Sequence, residues 1–174
     1  KHRNSLAKDF KKFEITGEMA KLMGYLIGDG TCTNKWLNKN NIQITVADDE
    51  VEGDLKRICF KLFAENPKIT PDKRTEDVRR LVIYNAKARA FLHYAGVGWW
   101  KAENKEIPWS ILCAPKVIVA DFLKALFECD GGIHRDTIEY STKSLKLAEQ
   151  IQLTLLNFGV ISKIIARYNK KYKQ

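Results

Sequence analysis

The feature that most constrains this chain is an internal repeat with a spacing of about a hundred residues. In each copy an apolar helix pattern ends at an Asp-Gly pair, Asp29-Gly30 in the first and Asp130-Gly131 in the second. A hairpin pattern and another helix follow each pair. The downstream positions Ile42, Thr45, Val51 and Leu55 align in register with Ile138, Ser141, Leu147 and Ile151. A repeat of this length is too long for a solenoid and predicts two fused half-domains.

The first copy predicts three helices and two strand pairs. A helix begins after Thr16, a plausible N-cap, and ends at Asp29-Gly30. A second helix starts at Asp48 or Asp49 and ends near Asn66-Pro67, and a third covers 86–94 and is closed by Gly96. Strand patterns lie at 31–37, 41–46, 68–73 and 78–84.

The second copy is shorter than the first. Pro115 suits the first turn of a helix that ends at Asp130-Gly131. A hairpin at 132–135 and 137–142 and a helix at 145–156 follow, and residues 160–169 can supply a third strand. Nothing remains for a fourth strand and a closing helix, so we expect the second half to be incomplete at its C-terminus. The predicted division is a basic arm or linker at 1–13, a first half at 14–97, a connector at 98–115 and a second half at 116–174.

Composition restricts the class of protein. No apolar run approaches the roughly 18 residues of a membrane span, and no signal-peptide pattern opens the chain, so we expect a soluble, intracellular protein. The formal charge of +9 and the pI near 9.4 favour a polyanionic partner, although charge alone is weak evidence. The four cysteines form no CxxC pair and have no histidine at zinc-ligand spacing, which argues against zinc.

Both helices that end at Asp-Gly carry small residues on one stripe. Gly24 and Gly28 are four apart in the first helix, as are Ala125 and Cys129 in the second, so each pair lies on one helix face. Parallel packing of these faces would bring the two aspartates side by side. Adjacent carboxylates repel and raise each other's pKa unless a divalent cation lies between them, and oxygen ligands of this kind suit Mg²⁺.

The residues around each Asp-Gly pair carry a family resemblance. The segment LMGYLIGDG at 22–30 resembles the motif that names the LAGLIDADG family, and LKALFECDG at 123–131 resembles its second copy. Ile27 replaces the inner acid of the motif, which Glu128 retains, whereas the later, metal-binding acid is present in both copies. The block NKEIP at 104–108 resembles one found in the intein-borne branch, where its lysine is catalytic. The chain thus resembles a two-motif, single-chain LAGLIDADG homing endonuclease of the intein-borne type.

The resemblance implies an α+β fold of two pseudo-symmetric αββαββα half-domains, with a central pair of motif helices and a DNA-binding β-saddle. It implies a monomeric, site-specific endonuclease that makes double-strand breaks in a long DNA target by metal-dependent phosphodiester hydrolysis. Asp29 and Asp130 would hold Mg²⁺, for which Mn²⁺ is an expected substitute, with help from the carbonyls of Gly28 and Cys129. Lys105 would stabilise charge at the scissile phosphate or orient the attacking water, and Lys101 is its nearest substitute.

Alternating positions on the strands are expected to face DNA, because every second side chain of a strand points to the same face. Charged side chains near the strand ends add to this surface. The predicted DNA-binding residues are Thr31, Thr33, Lys35, Gln43, Thr45, Lys73, Arg74, Arg79, Arg80, Arg135, Lys163 and Arg167. The alternative function is a DNA- or RNA-binding protein on the same scaffold that does not cleave, an intron maturase or a transcription regulator. Retention of both aspartates and of Lys105 favours the nuclease.

Overall fold

The first half follows the predicted order of elements closely. The structure is a computed structural model that describes residues 14–31, 41–72, 75, 77–98 and 100–167. Its first half contains, in chain order, α1 (Gly17–Gly28), β1 (Gly30–Thr31), β2 (Ile42–Val46), α2 (Asp49–Phe63), β3 (Lys68–Pro71), β4 (Arg79–Ile83) and α3 (Ala86–Tyr94).

The second half repeats the order of helix, hairpin and helix after a connector. The connector contains a 3₁₀ turn (Ala102–Asn104) and a short helix, α4 (Trp109–Leu112). The repeat then consists of α5 (Lys116–Asp130), β5 (Gly131–His134), β6 (Thr137–Tyr140) and α6 (Leu145–Asn157).

Side-chain caps fix where the helices start. The Thr16 hydroxyl accepts a hydrogen bond from the Met19 amide at 3.3 Å, and the Asp48 carboxylate accepts from the amides of Glu50 and Val51. These bonds satisfy amides that have no partner within the first turn of a helix. The two predicted helix starts are therefore seen with their caps in place.

The described strands of the first half form one antiparallel sheet in the order β1-β2-β4-β3. Ile42, Ile44 and Val46 of β2 are buried on its helix-facing side, while Gln43 and Thr45 point to the other side. This alternation matches the predicted one. Thr45 on the open side donates its amide to the carbonyl of Asp29, so this side of the sheet lies beside the C-terminal end of α1.

Helices α1 and α5 pack against each other through the centre of the core. Leu22, Met23 and Leu26 of α1 and Phe122 and Leu126 of α5 are all buried in one hydrophobic cluster. The α+β fold with a central pair of motif helices is therefore the fold predicted from the sequence.

The second half differs from the prediction after α6. Residues 160–167 form no strand, and residues 168–169 of the predicted third strand lie outside the described part of the chain. The β5-β6 hairpin has no other strand beside it among the described residues. Ile138 is 72% exposed, whereas its first-half counterpart Ile42 is 3% exposed and lies against Leu92 of α3. The described second half lacks counterparts of β3, β4 and α3, which extend and pack against the sheet of the first half.

Helix α2 ends earlier than predicted, at Phe63 rather than near Asn66-Pro67. Ala64, which follows it, has a left-handed conformation with φ 52°, and its amide donates a hydrogen bond to the Phe60 carbonyl.

Glycine is the residue favoured at the position of Ala64, because a Cβ in the left-handed conformation costs about 1–2 kcal/mol. We predict that Ala64→Gly raises the free energy of unfolding by about 0.5–1 kcal/mol, after the entropy that glycine gains on unfolding is subtracted. Urea unfolding checks this, and a decrease in stability would contradict the left-handed cap.

Candidate active site

The two aspartates lie at equivalent ends of the paired helices. Asp29 caps α1, and its amide donates to the Tyr25 carbonyl at 2.9 Å, while Asp130 is the last residue of α5. The Asp29 carbonyl accepts a hydrogen bond from Thr45, and the Asp130 carbonyl accepts one from Ser141, both at 3.1 Å. Thr45 and Ser141 are equivalent positions of the repeat. The same backbone bond therefore anchors each acid to its own hairpin.

Small residues allow the helices to approach closely beside these acids. A methyl group on Gly24 would collide with the Phe122 carbonyl, and one on Gly28 would collide with the Cys129 side chain. Gly24 also faces Ala125, its own counterpart in the repeat. Counterparts facing each other along two parallel helices indicate a pseudo-two-fold axis between them. This axis brings the C-terminal ends of α1 and α5 together.

The environment raises the pKa of both carboxyl groups. For Asp29 the main cause is desolvation by burial, opposed by a hydrogen bond with the Cys129 thiol and by the charge of Lys105. For Asp130 desolvation is again the main cause, the negative charge of Asp29 adds to it, and Lys105 opposes it. The charge of Asp29 therefore acts on Asp130, and burial disfavours the charged forms of both acids more than the Cys129 hydrogen bond and Lys105 favour them.

Lys105 lies between the connector and the helix ends. Its ammonium group donates to the carbonyl of Gly28, the last residue of α1. The Lys105 carbonyl accepts from the buried Ser144 hydroxyl at 2.6 Å, and the Ile107 amide donates to the Gln150 side chain at 2.8 Å. The start of α6 thus fixes the lysine backbone from one side. Lys101, the predicted substitute, is exposed at the beginning of the 3₁₀ turn.

The donor atoms at this site suit a hard divalent cation. Two neighbouring carboxylates match the few protein ligands that Mg²⁺ needs, because it usually completes its shell with water and substrate phosphates. In the described part of the chain, no group of three or more His, Cys, Asp or Glu side chains could hold a metal. A cation here would therefore depend on Asp29 and Asp130. The predicted Gly28 carbonyl ligand is partnered by Lys105.

Four side chains around the acids, Tyr25, Glu128, Asp54 and Tyr140, were not among the predicted site residues. The buried Tyr25 hydroxyl donates to Glu128 across the helix pair, and Asp54 lies 3.3 Å from the same hydroxyl. Desolvation and these carboxylates raise the pKa of Tyr25. Tyr140 packs against Phe127 with ring centroids 5.1 Å apart, and burial together with the charge of Asp130 raises its pKa.

The predicted DNA-binding residues of the first half divide between the two faces of the sheet. Strand register places Thr31, Gln43, Thr45 and Arg80 on the open face. Arg80 forms an ion pair with Asp72 at 2.8 Å. Arg79 lies on the helix-facing side, where it pairs with Asp49 at 2.5 Å and Glu52 at 2.8 Å, so it does not share the open face.

Two residues absent from the predicted set join the open face through the strand register. Lys68 and Thr70 of β3 pair with Val82 and Arg80 of β4. Of the predicted DNA-binding residues, Thr33, Lys35, Lys73 and Arg74 lie outside the described residues.

The second-half candidates are exposed and less regularly placed. Arg135 occupies the β5-β6 turn with φ 54°. Arg167 pairs with Glu139 of β6 at 3.1 Å, and Lys163 lies in the segment that forms no strand.

Among the described residues, no helix is long and apolar enough to cross a membrane.

Comparison with known sequences links the chain to one domain family and to several replication proteins. Residues 118–174 match the LAGLIDADG-like domain. The chain is 30% identical to the replication factor C small subunit of Methanocaldococcus jannaschii over 92% of its own length, but it covers 8% of that protein. It is 30% identical to a DNA polymerase of Thermococcus kodakarensis and 29% identical to the replicative DNA helicase DnaB of Rhodothermus marinus. The match to the polymerase spans 84% of this chain and 8% of the polymerase. The match to the helicase spans 82% of this chain and 16% of the helicase.

Solved structures share the fold at low sequence identity. One is the homing endonuclease I-DmoI in complex with its nicked target DNA in the presence of Mn. It matches with a TM-score of 0.66 at 17% identity, and the match covers 92% of this chain and 86% of the I-DmoI chain. The homing endonuclease I-WcaI bound to its DNA recognition sequence matches with a TM-score of 0.60 at 17% identity, covering 98% of this chain and 80% of its own. The N-terminal LAGLIDADG domain of WhiA matches with a TM-score of 0.58 at 10% identity, and the match covers 97% of this chain and 80% of the WhiA chain. The chain therefore has the fold of the LAGLIDADG homing endonucleases, and its residues 118–174 match the LAGLIDADG-like domain.

Proposed function

We propose that the protein is a site-specific DNA endonuclease that makes double-strand breaks by Mg²⁺-dependent phosphodiester hydrolysis. The observation that carries this proposal is the pair of desolvated, mutually repelling carboxylates at the joined ends of α1 and α5, beside Lys105. A site that only bound DNA would gain nothing from two negative charges, which repel phosphates. Two carboxylates that share a divalent cation, with a lysine beside them, suit phosphodiester hydrolysis instead.

Each group has a proposed role. Asp29 and Asp130 would hold the cation, which supplies Lewis acidity at the phosphate and an activated water. The Lys105 ammonium group reaches the C-terminal end of α1 beside the two acids. It would stabilise the negative charge that develops on the scissile phosphate. Thr31, Gln43, Thr45 and Arg80 would face DNA from the first-half sheet, and Arg135, Lys163 and Arg167 from the second half. Mn²⁺ would substitute for Mg²⁺, as the presence of Mn in the I-DmoI complex suggests.

The relatives support an intein-borne origin as part of this proposal. A replication factor C small subunit, a DNA polymerase and a replicative DNA helicase have different names and roles, yet each matches this chain over 16% of its length or less. A module found as a small part of unrelated replication proteins fits an element inserted into host genes. The protein would then act as a monomer on genomic DNA, since the internal repeat supplies both halves of the site.

Replacement of Lys105 by methionine is predicted to reduce the rate of cleavage at saturating DNA by about 100- to 1,000-fold, as for loss of one charge-stabilising group. Methionine keeps most of the aliphatic stem but removes the charge that compensates Asp29 and Asp130, so the melting temperature at pH 7 without a divalent cation should fall. Single-turnover cleavage of a bound duplex measures the effect, and Lys101→Met is the matched control. A loss confined to Lys101→Met would assign the role to Lys101 instead.

Selection from a library of duplex sites tests the function itself. The purified chain is incubated with the library and Mg²⁺, and cleaved ends are captured and sequenced; the same reaction with EDTA is the control. The proposal predicts a single family of sites that are cleaved in both strands. Sequence-specific gel shifts without cleaved ends would instead support a DNA-binding protein, such as an intron maturase or a transcription regulator.

A further inference from the structure

The interface between α1 and α5 is symmetric in shape but asymmetric in chemistry. Tyr25 donates to Glu128 on one side of the helix pair. The repeat places Leu126 at the position equivalent to Tyr25 and Ile27 at the position equivalent to Glu128. Both of these residues are buried in the hydrophobic cluster. One side of the interface is therefore polar and its counterpart is apolar.

The polar side leaves the tyrosine little freedom. Tyr25 is 2% exposed, so its hydroxyl must find its partners inside the protein. Glu128 accepts its hydrogen bond while keeping a side-chain exposure of 35%, and the Lys124 ammonium lies 3.9 Å away. Asp54 of α2 lies on the other side of the hydroxyl at 3.3 Å. The phenol thus bridges an acid of each half.

Any change of register along the helix pair would break this bridge. A shift of α1 against α5 would separate the buried phenol from Glu128 and leave it only the longer 3.3 Å contact with Asp54. A hydrogen bond to a charged group contributes about 1.5–3 kcal/mol, so the shifted register is disfavoured. The apolar counterpart sets no such condition, since Ile27 and Leu126 can slide against other apolar groups. A single buried polar contact is the kind of device that fixes helix register at some cost in stability.

The bridge lies next to the aspartates. The Tyr25 carbonyl accepts the hydrogen bond of the Asp29 amide at 2.9 Å, and Glu128 precedes Asp130 by two residues. We propose that Tyr25 and Glu128 are a positioning pair, which fixes the register of α1 against α5 and so sets how Asp29 and Asp130 face each other. This inference rests on the proposed function in that the two acids are taken to share a cation.

Three substitutions separate register from charge. Tyr25→Phe removes only the hydroxyl, Glu128→Leu removes the acceptor, and Glu128→Gln keeps a neutral acceptor. For each variant, the melting temperature is measured without cation and then across a Mg²⁺ titration. The midpoint of that titration reports cation binding independently of DNA cleavage.

Tyr25→Phe and Glu128→Leu are expected to raise the Mg²⁺ midpoint by about 10- to 100-fold, the usual effect of losing a residue that orients metal ligands. The double variant should be no worse than either single one, because both remove the same contact. Glu128→Gln should stay close to wild type. Tyr25→Phe alone carries the test if Glu128→Leu does not fold.

Two results would overturn the positioning role. Equal losses in Glu128→Gln and Glu128→Leu would show that the charge of Glu128 matters rather than its hydrogen bond. Altered melting temperatures with an unchanged Mg²⁺ midpoint would show a structural contact only. If wild type binds Mg²⁺ but cleaves no DNA, the proposed function fails while the thermal midpoints still decide the positioning role. If wild type does not respond to Mg²⁺ at all, both proposals fail.

Discussion

Replacing either Asp29 or Asp130 with asparagine is expected to abolish DNA cleavage. The loss should exceed about 100-fold, because loss of a residue that only orients a metal ligand already costs about 10- to 100-fold. Each acid should be equally necessary, since the repeat gives them equivalent positions at the ends of α1 and α5. Single-turnover cleavage of a selected duplex by both variants measures this, with Asp136→Asn in the exposed β5-β6 turn as a control. A variant that still cut at the wild-type rate would remove that carboxylate from the site.

The same substitutions should stabilise the protein when no divalent cation is present. Burial raises the pKa of both carboxyl groups above the ordinary 3.8, so the folded protein binds their protons more tightly than the unfolded chain does. Their penalty is therefore absent below about pH 3.8 and grows as the pH rises through the raised pKa values. Asparagine removes the penalty, so the variants should melt above wild type at pH 7 in EDTA. At pH 3.5 the difference should be small, and a difference independent of pH would contradict this cause.

Replacing Gly24 with alanine is expected to destabilise the fold by about 1–3 kcal/mol, the usual cost of overpacking a core. The added methyl would occupy space held by the Phe122 carbonyl and by Ala125, and a backbone atom cannot move aside without shifting the helix. Urea unfolding measures the change.

Gly53→Ala is the matched control for this substitution. Gly53 is exposed within α2, and nothing lies within 4 Å of the position of an added methyl. Alanine there should stabilise the helix by about 1 kcal/mol through its higher helix propensity. If Gly24→Ala were as stable as Gly53→Ala, the close approach of α1 and α5 would be wrong.

The fold could be predicted from the sequence because local and long-range signals agreed. The predicted helix at 86–94 has those same bounds in the structure, and the helix ends at Asp29 and Asp130 lie where the motifs place them. Small residues spaced four apart predicted the close approach that Gly24 and Gly28 now show. These features follow from short-range spacing and from the repeat, which a single sequence displays directly.

Other features depend on contacts that spacing does not encode. Arg79 and Arg80 are adjacent and equally basic, yet strand register turns Arg79 towards Asp49 and Arg80 towards the open face. Adjacent residues of a strand face opposite sides, so the two could not both face DNA, but the register of β4 was needed to show which of them does. The Tyr25 and Glu128 contact was missed for a related reason, since the motif alignment compares each residue with its counterpart rather than with the residue it faces.

The thermal response to Mg²⁺ tests most directly the central claim that Asp29 and Asp130 together form a cation site. At a Mg²⁺ concentration 100 times the dissociation constant, binding should stabilise the folded protein by about 2.7 kcal/mol, which corresponds to roughly 5–11 °C in melting temperature for a domain of this size. We predict a saturable rise of this size for wild type and none for Asp29→Asn or Asp130→Asn. An equal rise in all three proteins would contradict the claim.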